Sequence, residues 1–198
     1  LKLQKYVQMR AAFKVLTVSG IMITGVLVPS APLLADEMSG SFVNLFHEVS
    51  VGVLHHDTDH LWSGFRRESG VDINVEALLR PSITVFGGDL RPAVGASIST
   101  SGDTSKAYID ARWRYEFESD FFVGFGVGAA VHNGETELAR ADKKALGSRV
   151  LFHIPFEAGY RFDAHTSVSL YFDHVSNANL AAANEGMDTL GVRVGYRF

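Results

Sequence analysis

From residue 43 onward the chain alternates apolar residues with polar residues or glycine, segment after segment, and offers no further long apolar run. Successive side chains of a β-strand point to opposite faces, so this period-two pattern predicts strands with one apolar face. Eight such segments stand out, at 43–53, 71–79, 92–98, 107–117, 121–131, 150–162, 168–172 and 190–198. His47 is the one exception in the first apolar stripe. The opposite faces carry Asp72, Asn74 and Glu76, then Lys106, Asp110, Arg112, Arg114 and Glu116, then Gly124, Gly126 and Gly128. Glu157, Arg161, Arg193 and Arg197 continue that face in the later segments. A soluble barrel would turn its charges to water and its apolar face to the core. Here the apolar face bears Trp113, Tyr115, Phe117, Tyr160, Phe162, Tyr196 and Phe198 near strand ends, which suits an aromatic girdle at a lipid boundary. The expected fold is therefore all-β, an eight-stranded antiparallel transmembrane β-barrel. Charges of both signs fill and pair in its lumen, and eight strands enclose too little space for a pore.

The N-terminal part reads differently. Lys2, Lys5, Arg10 and Lys14 accompany an apolar stretch from Val15 to Val28, and Pro29, Ser30 and Pro32 then interrupt any helix. Ala35 supplies a small residue before Asp36 and Glu37, so residues 1–35 are expected to be a cleaved signal peptide and 36–198 the barrel domain. Cysteine is absent, which excludes disulfides and thiolate metal sites. A net charge of −4 without a basic stripe argues against nucleic acid as a partner. Short turns at 118–120 and 163–166 suit the periplasmic side, and longer segments at 133–149 and 177–187 suit the outside. The terminal Phe198, with apolar residues at alternate positions before it, resembles the sorting signal of bacterial outer-membrane barrels.

Chemistry concentrates at the end of the seventh segment. His174 and Ser176 extend the even-numbered stripe of Val168, Leu170 and Phe172, which the pattern turns to lipid. Asp188 extends the even stripe of Leu190, Val192 and Val194 backwards to the same outer end. Polar groups on a lipid face are costly unless they lie at the membrane boundary or perform a task. A serine needs a base within hydrogen-bond reach, and a carboxylate that holds the base's imidazole completes an acyl-transfer set. Ser176 is thus the candidate nucleophile, His174 the base and Asp188 the acid. The candidate oxyanion donors are the side chains of Asn177 and Asn184 and backbone N–H groups around Asn179.

The segment HVSNANLAAANEGMD, residues 174–188, resembles the outer-membrane lipid A 3-O-deacylase family, PagL. His174, Ser176, Asn177, Ala178, Asn184 and Gly186 match that family's pattern, with the same loop length. Asp188 stands where the family usually has Glu, and Asn179 where a Gly is familiar. The resemblance implies an eight-stranded barrel and hydrolysis of the ester-linked acyl chain at the 3-position of lipid A, with no metal or other cofactor. The implied partners are lipopolysaccharide and outer-membrane lipids, and the implied location is the bacterial outer membrane. A homodimer is left open. Two other readings of the same residues stand beside this one: a non-catalytic barrel for adhesion or envelope integrity, and a phospholipase or acyltransferase using the same three groups.

Other polar clusters are expected to be structural. His55, His56, Asp57, Asp59 and His60 lie in the first outer loop and read as solvated residues rather than metal ligands. Asp72, Asn74 and Glu76 are expected to pair with Arg112, Arg114 and Arg193 in the lumen. Arg140, Lys143, Lys144 and Arg149 read as a solvated outer loop, with lipopolysaccharide phosphates as the alternative partner.

Overall fold

The computed structural model describes residues 44–198; the expected signal peptide at 1–35 lies outside the described residues. The strands are β1 (Phe46–His55), β2 (Val71–Leu79), β3 (Ile83–Val85), β4 (Gly88–Ser99), β5 (Lys106–Glu116), β6 (Phe121–His132), β7 (Val150–Arg161), β8 (Thr166–Ser176) and β9 (Met187–Arg197). Each long strand pairs antiparallel with its sequence neighbour, β2 pairs with β4, and β1 pairs with β9, so eight strands close into a barrel without a free edge. Closure matters because a backbone group left unpaired in hydrocarbon costs several kcal/mol. β3 is not a ninth stave. It folds back on the first residues of β4, with Ile83 opposite Leu90, through a turn in which Phe86 (φ 50°) and Gly87 (φ 80°) are both left-handed. This hairpin accounts for the length of the 80–90 connection. His47 breaks the apolar stripe because the β1–β2 register slips between Phe46 and Glu48, which marks a bulge there.

Alternation sorts the side chains as the pattern requires. Val51, Val53, Ile109, Val127, Leu170, Val192 and Val194 stay exposed on the outer wall. At its periplasmic end Trp113 packs on Phe125, Phe121 on Tyr160, and Tyr196 on Phe198. Inside, Glu157 is the hub of the charges. It accepts from Arg193 (2.6 Å), Arg114 (2.9 Å) and Arg112 (3.3 Å). Glu48 binds Arg114 at 2.8 Å, and Glu76 lies 3.2 Å from Arg193. The guanidinium groups of Arg193 and Arg114 lie over the buried rings of Tyr171 and Phe122. Asp72 corrects one expectation: its partner is not a luminal arginine but His56, at 2.7 Å.

The outer loops form an interlocked cap, which overturns the reading of His56, Asp57 and Lys144 as solvated, while His55, Arg140 and Arg149 are exposed as expected. His56, Asp57 and Lys144 are fully buried. The His56 ring bridges Asp72 and Glu68 (3.0 Å), and Glu68 also accepts from the Thr104 hydroxyl and the Lys144 N–H. Asp57 accepts the N–H groups of Arg67 and Glu68, and Lys144 Nζ approaches it to 3.4 Å. His60 remains exposed. Burial opposes a charge on His56, but the hydrogen bonds to Asp72 and Glu68 outweigh it and raise its pKa to about 9.

Two consequences can be measured. Glu157→Ala leaves several arginines facing one another in a closed lumen, and is expected to cost about 3–5 kcal/mol in urea unfolding of the barrel in detergent, followed by tryptophan emission. The second concerns the cap. Because the folded-state pKa of His56 lies above its ordinary 6.5, its stabilisation is complete below pH 6.5 and is lost as pH rises through about 9. Protease resistance of the segment 56–70 should fall over that window, and His56→Gln should remove the dependence.

Candidate active site

β8 and β9 pair in a register that puts His174 directly opposite Asp188. Residues opposite each other on an antiparallel pair share a face, so the two side chains meet across the ladder. Asp188 Oδ1 lies 2.6 Å from His174 Nδ1, and His174 Nε2 lies 3.0 Å from Ser176 Oγ. Ser176 reaches the same face because it stands two residues beyond His174 on one strand. Asp173, on the opposite parity, points inward and meets Lys106 and His153. The three groups form a continuous chain of carboxylate, imidazole and hydroxyl at the outer end of the wall.

Strand parity alone would leave these groups facing lipid, yet His174 is 5% exposed and Asp188 is fully buried. The first outer loop covers them. The Trp62 indole lies parallel to the imidazole, with ring centroids 4.5 Å apart and planes 9° from parallel. The Ser63 N–H donates to Asp188 Oδ2 at 2.6 Å, and the Thr58 N–H donates to the Asp188 carbonyl at 2.8 Å. Neither Trp62 nor Ser63 carried a signal in the sequence, since loop positions have no periodicity from which to infer a face. Phe152 and Ile154 of β7 stand opposite Ser176 and His174 and form the wall beneath them. The hollow so bounded is about 400 Å³ and also meets Ala178, Asn179 and Asn184. A second hollow of about 380 Å³ lies further down the wall, lined by Phe125, Phe156, Leu170, Phe172 and Leu190. Its surroundings suit an alkyl chain.

The loop after Ser176 is built by its asparagines. Asn177 Nδ2 donates to the carbonyls of Leu146 (2.8 Å) and Ala183 (2.6 Å), so both its amide hydrogens are engaged in holding the loop. Asn184 Oδ1 accepts the Asn177 N–H at 2.9 Å, and Asn184 Nδ2 donates to Asn179 Oδ1 at 3.0 Å. Residues 177–180 form a turn closed by the Leu180 N–H on the Asn177 carbonyl, with Ala178 (φ 53°) and Asn179 (φ 62°) left-handed. That conformation explains why position 179 suits glycine, and why asparagine, which tolerates it well, can replace it. The turn's own bond leaves the Ala178 and Asn179 N–H groups out. Glu185, the other carboxylate of the loop, is held elsewhere, by Arg67 at 2.8 Å and the Ala145 N–H at 2.7 Å.

One further cluster gathers metal-type donors: His56, Glu68 and Asp103 bring one atom each within 4.8 Å of one another. Both ring nitrogens of His56 are already hydrogen-bonded to carboxylates, and Lys143 contacts Asp103, so a cation there would face competing positive charge.

Comparison with known proteins adds an independent line. The family model described as lipid A 3-O-deacylase (PagL) matches residues 87–197. No curated protein matches the chain in sequence. Among solved structures, the crystal structure of the outer membrane enzyme PagL aligns with a TM-score of 0.59 at 22% identity, covering 76% of this chain and 99% of that one. Neisserial surface protein A aligns at 0.48 and 15% identity, over 76% of this chain and 96% of that one. The Yersinia pestis outer membrane protein Ail aligns at 0.45 and 9% identity, over 77% and 99%.

Proposed function

The chain belongs to the lipid A 3-O-deacylase family and is an outer-membrane barrel, and from that premise we propose that Ser176, His174 and Asp188 hydrolyse the 3-O-linked acyl ester of lipid A in the outer leaflet. The observation that carries this reading is the unbroken hydrogen-bonded chain from Asp188 through His174 to Ser176. Nucleophile and base lie within reach of each other, and the base is oriented by a third group. The site also lies at the right height. An acyl chain lying along the barrel wall can occupy the hollow by Phe156, Leu170 and Phe172 while its ester reaches the hollow above, beside Ser176.

In this mechanism Ser176 Oγ attacks the ester carbonyl as His174 Nε2 accepts its proton. Asp188 keeps Nδ1 as the protonated nitrogen and balances the imidazolium charge. The tetrahedral intermediate collapses as the imidazolium gives its proton to the sugar 3-oxygen, which leaves as the alcohol. Water then attacks the acyl-serine by the same route in reverse and releases the fatty acid. The oxyanion needs donors fixed before the reaction. The Ala178 and Asn179 N–H groups and the remaining hydrogen of Asn184 Nδ2 are the candidates. The Asn177 side chain serves instead to hold the turn that presents them.

The reading is tested by mass spectrometry of lipid A from cells expressing the protein. The intact chain should remove one 3-linked acyl group, and Ser176→Ala or His174→Asn should lower the rate by about a thousandfold or more. Removal of an acyl chain from phospholipid instead, with lipid A untouched, would redirect the substrate assignment and leave the three residues in place. The acid is tested separately. Asp188→Ala should cut turnover by about a hundredfold or more, Asp188→Glu should keep much of it, and Glu185→Ala should retain the chemistry. Inactivity of Glu185→Ala alongside an active Asp188→Ala would contradict the choice of acid.

A further inference from the structure

The family match begins at residue 87, yet two groups in closest contact with the His174–Asp188 pair come from the first outer loop, well before it. Ile154 stands opposite His174 across the ladder, and strand pairing by itself does not cover the outer side of the imidazole. To act as base it must aim Nδ1 at Asp188 and Nε2 at Ser176 at once, so rotation about its side-chain bonds must be restricted. The Trp62 ring covers that outer side in parallel contact. Asp188 faces the same problem: Oδ1 holds the imidazole, and Oδ2 would be free to swing without the Ser63 N–H. Charge-assisted bonds of this kind are short and strong. The Thr58 N–H pins the loop to the Asp188 backbone. Gly186 leaves space for this arrangement, since a Cβ there would stand 3.1 Å from His174 Cε1 and 3.6 Å from Ser63 Cβ.

We propose that Trp62 and the Ser63 N–H are positioning groups, a strap from the first outer loop that locks the imidazole and carboxylate in their working geometry. This inference rests on the reading of Ser176, His174 and Asp188 as the hydrolytic set. Trp62 touches the base and acts through it. The stacked indole restricts the imidazole ring, and its negative π-face favours the imidazolium that forms as Ser176 attacks. It also limits water at the proton-transfer pair. The exposure of Trp62, at 56%, accords with this role, because the amphipathic indole stands at the outer membrane boundary, where such rings are at home.

The test uses full-length protein refolded in detergent, with lipid A as substrate and folding checked by heat-dependent gel mobility. Trp62→Ala should lower kcat by about 10- to 100-fold, as small misplacements of reacting groups do, with KM changed far less. Trp62→Phe, which keeps an aromatic face, should recover most of kcat. Trp62→Leu, which covers the ring without one, should not. Ser63→Pro, which removes the N–H that holds Asp188, should also lower kcat, with KM changed far less. A wild-type kcat in Trp62→Ala, or equal rescue by Leu and Phe, overturns the proposal and leaves Trp62 as an interface anchor only. Ser176→Ala is run alongside. If it is inactive while Trp62→Ala is fully active, only the strap fails; if it is active, the reading on which the strap rests fails.

Discussion

Everything in this molecule depends on the closure of one backbone hydrogen-bond ladder. A sheet with a free edge cannot sit in hydrocarbon, and the pairing of β1 with β9 and of β2 with β4 removes both edges. Closure with eight strands fixes a narrow interior and an outer wall, and every residue of a strand must go to one or the other. The interior can hold Glu48, Glu76 and Glu157 because arginines stand beside them. A buried carboxylate without such partners would not remain ionised at tolerable cost. The same two-sided sorting sends His174 and Ser176 to the outer wall together, and the antiparallel register delivers Asp188 opposite them.

The ladder brings the groups together, and the loops decide their environment. At the outer end the loops form a cap joined by buried polar contacts, with Glu68 receiving bonds from His56, Thr104 and Lys144. Arg67 and Glu185 link the first outer loop to the one that follows Ser176. The site is thus a junction. β8 supplies the proposed nucleophile and base, β9 the proposed acid, one loop the cover, and another the turn with its left-handed residues. Its position between an apolar wall and a polar cap fits a substrate that is itself part lipid and part sugar.

Much of this was legible in the sequence because strands write their orientation into a period of two. The second segment, 71–79, has the bounds that β2 takes, and the luminal charges were identifiable from parity. The side chains of the candidate site were legible for the same reason, since they stand on or beside strands. What parity could not reach lies where periodicity stops. The β3 hairpin lies between the second and third segments, where no strand was expected, and the bulge at His47 showed only as a broken stripe. Burial of His56, Asp57 and Lys144 follows from contacts between residues far apart in sequence, so a run of polar residues read as solvated. Asp72 went to His56 rather than to an arginine because it stands at the rim, above the level of the luminal arginines that bind Glu76 and Glu157. Trp62 could not be placed at all without the fold of its loop.

The account turns on Ser176 being the nucleophile, and covalent capture tests that most directly. Outer membranes carrying the protein would be treated with an alkyl fluorophosphonate, and the labelled residue located by peptide mass spectrometry. The account predicts a single adduct on Ser176, formed slowly or not at all in His174→Asn. An adduct on a different serine, or hydrolysis of lipid A that continues once Ser176 is fully labelled, would contradict it.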